Sequence, residues 1–208
     1  MKDDFLSQFT GSLARGRILR ALIFNENEVF NPKRAGARAG VSPEAAQREL
    51  VALQKMGIVR KGRAVLTVKN GKLAEKSKAM KPEAVWFLDP NFKHLRSLSA
   101  FVREISPMRY DQILGALKSS GRMSAVILSG SFMGDLTRPA DILLAGDSIN
   151  ERRLETAVKE LEPQFGRELR YAAFSTPEFR YRLTIQDRLI RDTLDFPHLV
   201  LLDRSRLL

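Results

Sequence analysis

Apolar residues return at helical spacing across residues 15–24. Ile18, Leu19, Leu22 and Ile23 fall on one side, which predicts an amphipathic helix. The polar run 25–27, Asn-Glu-Asn, ends it. Residues 33–39 predict a second, shorter helix, with Pro32 suited to its first turn. Gly40 permits the left-handed turn that follows. Ser42 is a favoured N-cap and Pro43 fits a first helical position. In the third helix that they open, Ala46, Leu50 and Leu53 share an inward face, while Glu44, Ala45, Gln47, Arg48 and Val51 point away from it.

The period then changes. Residues 58–68 are rich in branched side chains and predict a strand, with residues 84–88 as its returning partner. Between them, residues 69–82 hold five lysines and one glutamate, with Asn70-Gly71 as a turn signal. Leu95, Leu98, Phe101, Val102 and Ile105 stripe one face of a helix expected over 92–105. That stripe is expected to dock on the second half of the chain or on a second copy. Ser106-Pro107 ends the helix, and residues 110–118 predict another.

From residue 123 the pattern is that of buried strands. Residues 123–128 and 140–147 predict two strands, joined by Ser129-Gly130-Ser131-Phe132-Met133-Gly134-Asp135. A helix is expected over 150–165 with Leu154, Val158 and Leu161 inward and Gly166 closing it. Residues 169–174 predict a third strand. Thr176 is the expected cap of a helix from Pro177, anchored by Phe179 and Leu183. Residues 189–194 read as a helix and 198–202 as a last strand. The fold class expected is α+β: helices and a hairpin first, then a small mixed α/β sheet covered by helices.

Charge sharpens the division. The chain has 35 basic and 24 acidic residues, a net of +11. Residues 15–81 hold 16 basic and 5 acidic of these, so the remainder, 19 of each, is neutral. A surplus confined to one region is the footprint of a polyanionic partner. There is no cysteine, which excludes disulfides, thiolate zinc sites and thiol catalysis. The two histidines, His94 and His198, lie far apart in sequence and argue against a histidine metal site or triad. Neither a secretory h-region nor an apolar run near the roughly 20 residues of a membrane span is evident, so a cytoplasmic protein with no membrane contact is expected.

The first region resembles the winged helix-turn-helix domains of bacterial and archaeal transcription regulators. The likeness covers about residues 9–88 and rests on the Val41-Ser42 turn and on Leu50, Leu53 and Gly57-Ile58-Val59. It implies a helix lying in a DNA major groove, with Ala45, Gln47 and Arg48 at the base-reading positions. Arginine can grip guanine and glutamine adenine through two hydrogen bonds. Lys33, Arg34, Arg60, Lys61 and Arg63, with Lys69, Lys72 and Lys76 of the lysine-rich wing, are the expected phosphate contacts. Duplex DNA is the expected partner and a homodimer the expected working unit. Some winged helices bind protein instead.

The Gly130-Ser131 turn, Gly134-Asp135 and the strand around Asp141 resemble the minimal nucleotidyltransferase domain of the DNA polymerase beta superfamily. Gly146-Asp147, residues 165–168 and residues 175–179 resemble prokaryotic proteins that join such a domain to a winged helix. The resemblance implies an Asp-x-Asp pair and a third acid holding two metal ions. Here Asp141 has Pro139 two residues before it and Leu143 two after, and the third strand offers Arg170 and Tyr171. The domain is therefore expected to be catalytically silent, with no catalytic residues, metal or cofactor. Gly130, Ser131 and Asp141 remain as a candidate site for a nucleotide or small-molecule ligand. The organisation expected is 1–90 reader, 91–119 connecting helices and 120–208 transferase-like domain. An active metal-dependent nucleotidyltransferase and a protein-binding adaptor are the alternatives.

Overall fold

The computed structural model describes residues 5–65, 82–105, 110–204 and 206. It is a mixed α+β structure with two separate sheets. Chain order opens with α1 (Phe5–Thr10), which the sequence pattern did not predict, and α2 (Leu13–Phe24). Ser12 caps α2 by accepting from the Arg15 amide at 3.2 Å. Asn31 caps α3 (Pro32–Ala39) in the same way, and Gly40 closes it at φ 63, as expected. Ser42 caps α4 (Pro43–Lys55), accepting from the Ala45 amide at 3.2 Å.

The predicted inward face of α4 is the buried one: Ala46, Leu50 and Leu53 are sealed from solvent. They meet Ile18, Leu19, Leu22 and Ile23 of α2 in one apolar core. A polar lock adds to it. Ser12 Oγ donates to Glu49 Oε1 at 2.8 Å and Arg15 Nε to Glu49 Oε2 at 2.7 Å, tying α4 to the start of α2.

β1 (Val59–Ala64) and β2 (Glu83–Leu88) form an antiparallel pair; residues 66–68 of the 58–68 strand expected lie outside the described residues. Phe30, just before α3, exchanges two backbone hydrogen bonds with Trp86, at 2.8 and 2.7 Å. The hairpin is thereby stitched to the helices. Its core-facing edge is Val59, Trp86 and Leu88. α5 (Leu95–Glu104) corrects an expectation. Its stripe packs on the first half rather than on the second sheet. Val102 is buried in the first core, and Leu95, Leu98 and Phe101 pack against it.

After α6 (Tyr110–Leu117) comes the second sheet, with strand order β5-β4-β3-β6. β3 (Arg122–Leu128) is central. It pairs antiparallel with β4 (Ile142–Asp147) and with β6 (Leu199–Asp203). β4 pairs parallel with β5 (Tyr171–Ser175). One face of the sheet packs on α6 and α7 (Glu151–Phe165), through Val126, Leu128, Ile142 and Leu144 against Leu154, Val158 and Leu161. The other packs on α8 (Thr176–Thr184) and α9 (Arg188–Leu194), through Ile127 and Leu143 against Phe179 and Ile190. The cap of α8 is Ser175, not Thr176 as expected. Thr176 instead donates to Asp147 Oδ1 at 2.9 Å, because it already lies inside the helix.

The two halves are joined through helix ends. Arg20, buried in α2, donates to the carbonyls of Gln164 at 3.3 Å and Ile105 at 3.4 Å. Asn25 Nδ2 donates to the Gly166 carbonyl at 2.8 Å. Gly166, the left-handed cap of α7, lies so close that a β-carbon there would sit 2.5 Å from the Ala21 nitrogen. The C-terminal carbonyls of α7 carry partial negative charge, and a buried guanidinium answers it.

Candidate functional site

Two places gather the residues that the sequence singled out. The first is the outer face of α4. Arg48 and Glu44 are exposed, and Gln47 and Ala45 half-exposed, on the side opposite the buried stripe. Glu44 sits in the first turn, where its own backbone N–H and then Ser42 hold its carboxyl below the usual range, with Arg48 one turn on adding to the effect. Arg48 makes no hydrogen bond or ion pair among the described residues, so its guanidinium is available.

The basic residues around α4 divide into two groups. Lys33 is exposed on α3. On β1, Lys61 and Arg63 are exposed and share a face, since strand side chains alternate. Lys61 lies over the Trp86 ring, 5.2 Å from its centroid. Trp86 in turn donates to Gln54 of α4 at 2.9 Å, so Lys61 is held beside that helix. Arg34 and Arg60 are already engaged: Arg34 pairs with Glu28 at 2.6 Å and Arg60 with Asp89 at 2.8 Å. Arg34 and Glu28 are both partly exposed, whereas Asp89 is only 14% exposed beside the more open Arg60. Lys69, Lys72 and Lys76, and the Asn70-Gly71 turn, lie outside the described residues.

The second place is the Gly130-Ser131 turn. Asp141, directly before β4, is wholly buried. Its Oδ1 accepts from the Ser131 amide at 2.8 Å and the Ser131 hydroxyl at 2.7 Å. Its Oδ2 accepts from the Arg170 amide at 2.8 Å and from Arg170 Nε at 3.3 Å. Burial works to raise this carboxyl. The Ser131 and Arg170 hydrogen bonds outweigh it and hold the group below its ordinary range. Gly130 has φ 53, and a β-carbon on it would stand 2.4 Å from Asp141 Oδ1. Only glycine fits there.

The structure thus brings Gly130, Ser131 and Asp141 together, but turned on one another. The amides of Ser131, Phe132, Gly134 and Asp135 all donate within the chain, to Asp141 and to the carbonyls of Ser129, Ser131 and Gly130. Beyond the turn, Leu136 packs against the core of the first half. Among the described residues no three His, Asp or Glu side chains converge as a metal site would require. His94 packs edge-on against the Phe92 ring, and His198 Nδ1 bonds the Phe196 carbonyl at 2.8 Å.

Arg170 and Glu49 are the site residues that sequence reasoning missed. A signal for Arg170 existed: an aspartate opening a buried strand needs a cation, and Arg167 and Arg170 are the cations leading into the neighbouring strand. Nothing in the spacing pointed to Glu49, whose partners lie 34 and 37 residues away.

No known protein family matches this chain, and no curated protein or solved structure is detectably similar to it.

Proposed function

We propose that the protein is a sequence-specific duplex-DNA-binding transcription regulator of the winged helix-turn-helix kind, joined to a nucleotidyltransferase-like domain that performs no transfer. The observation that carries this reading is the outer face of α4. Its buried stripe is anchored to α2, its first turns present Gln47 and Arg48, and Arg48 is uncommitted among the described residues. A helix held in this way can enter a major groove with its N-terminal residues against base edges. Lys33, Lys61 and Arg63 would hold phosphates on either side, and Arg34 and Arg60 would join them by exchanging their carboxylate partners. The charge supports it too, since the whole +11 falls within residues 15–81. The working unit in this reading is a homodimer in the cytoplasm, one α4 reading each half-site.

For the second half, the fully committed Asp141 favours a silent domain over an active one. Its two oxygens are taken by Ser131 and Arg170, and a guanidinium supplies the positive charge at the carboxylate. Selection of bound sequences from random duplex DNA, followed by binding titrations across salt, tests the first claim. Failure to retain any duplex at low salt would sink it and leave the protein-binding adaptor. A magnesium-dependent transfer of labelled nucleotide that vanishes in Asp141→Ala would overturn the second claim.

A further inference from the structure

A cleft of 330 Å³ runs between α3 and α7, lined by Arg34, Ala37, Arg38, Lys159, Glu162, Pro163 and Glu168. Three cations border it, and they are unequally satisfied. Arg34 is paired with Glu28 at 2.6 Å, and Lys159 with Glu155 one turn earlier on α7. Arg38 is different. Its side chain is only 19% exposed, yet its carboxylate contacts are single and long: 3.3 Å to Glu168 and 4.0 Å to Glu28. A guanidinium fork is built for two short parallel hydrogen bonds to one oxyanion. Glu168 offers one oxygen, from a side chain 80% exposed, so it is loosely held.

The negative side of the cleft is crowded as well, since Glu162 and Glu168 both line it. Burial raises the Glu162 carboxyl most, Glu168 pushes it up further, and the Leu169 amide at 3.0 Å and the charges of Arg38 and Lys159 only partly offset this. Arg167 also faces this group of charges, and burial holds its guanidinium below the usual range. Arg38 is thus a partly buried arginine with a poor anion, one turn from Arg34 on α3 and bordering a cleft whose α7 side carries Lys159.

We propose that this cleft binds a small divalent oxyanion, which takes the fork of Arg38 and displaces Glu168 from it. Arg34 and Lys159 would flank the bound charge. The cleft volume sits at the low end of small-ligand pockets, about 300 Å³ and upward, so the ligand is compact. Binding would replace the Arg38–Glu168 pair, which links α3 of the first half to the segment after α7. The inference shares Arg34 with the DNA reading but rests on the cleft and on Arg38, which that reading does not use.

The test uses the whole chain with two probes, inorganic phosphate and malonate, each titrated calorimetrically and by thermal unfolding against sodium chloride of equal ionic strength. Saturable binding with a rise in melting temperature beyond the chloride control is expected. A stronger response to phosphate identifies phosphate esters as the source, and a stronger response to malonate identifies dicarboxylates. Arg38→Gln should weaken binding by roughly tenfold or more, because a bidentate charged contact is lost. Glu168→Gln should tighten it by about threefold or more, because the internal competitor is gone. The second variant separates a ligand site from a plain surface ion pair, since its position is exposed and its folding is not at stake. No response beyond chloride in the wild type, or no tightening in Glu168→Gln, would overturn the proposal.

Discussion

Arg170 and Asp141 form a closed pair: the guanidinium reaches Oδ2 through Nε at 3.3 Å and Oδ1 through Nη2 at 3.4 Å, while the Arg170 amide adds a third hydrogen bond at 2.8 Å. The carboxylate is buried and the arginine partly exposed, so the pair seals the end of β4 from solvent. Removing the acid strands the Ser131 amide and hydroxyl and leaves the arginine without its counter-charge. Asp141→Ala should cost about 3–5 kcal/mol in denaturant unfolding. A cost below about 1 kcal/mol would mean that the pair is not a structural staple.

The same carboxylate makes a pH prediction. Its pKa in the folded state lies below the unfolded value, near 4. Its stabilisation is therefore complete above that value and is lost as pH falls through the lower folded pKa. Asp141→Asn should lose this part of the acid dependence. Unfolding free energies of wild type and variant should converge as pH drops below about 4. Parallel curves throughout the acid range would contradict it.

Duplex binding should fall steeply with salt. If about 6 phosphates are contacted, the plot of log affinity against log salt should have a slope near −5. A slope near zero between low and physiological salt would remove the electrostatic footing of the DNA reading.

Base readers and phosphate holders should separate. Arg48→Ala and Gln47→Ala should each cost about 1–3 kcal/mol on a selected site and relax sequence preference. Lys61→Ala combined with Arg63→Ala should weaken all sequences alike and flatten the salt slope. Altered preference from the strand variants, with none from the helix variants, would refute the docking of α4.

A glycine within a helix and one that caps a helix should respond in opposite directions. A β-carbon on Gly115 of α6 would meet nothing within 4 Å, so Gly115→Ala should stabilise by up to about 1 kcal/mol. Gly166 lies against the backbone of α2 with φ 67, so Gly166→Ala should destabilise by about 1–3 kcal/mol and loosen the join between the halves. Equal responses in thermal unfolding would show that α7 does not rest on α2 as described.

Local chemistry alone determined much of this protein. The cap at Ser42, the left-handed closures at Gly40 and Gly166 and the inward stripe of Ala46, Leu50 and Leu53 follow from neighbours within a turn or two. Period and punctuation carry such facts, so helix positions and the strands β3 to β6 were legible within a few residues. The lone state of Asp141 was legible as well, because it depends only on Pro139 and Leu143. What the sequence could not decide were pairings across long separations. The burial of α5 in the first core, the lock of Glu49 on Ser12 and Arg15, the closing of Arg170 on Asp141 and the cleft between α3 and α7 are of this kind. Each depends on which surfaces meet once cores of limited size must be covered, and a charged side chain carries no mark in sequence of the distant partner that it will find. Tertiary packing therefore decided which arginines are spent inside the chain and which, like Arg48 among the described residues, stay free to meet something else.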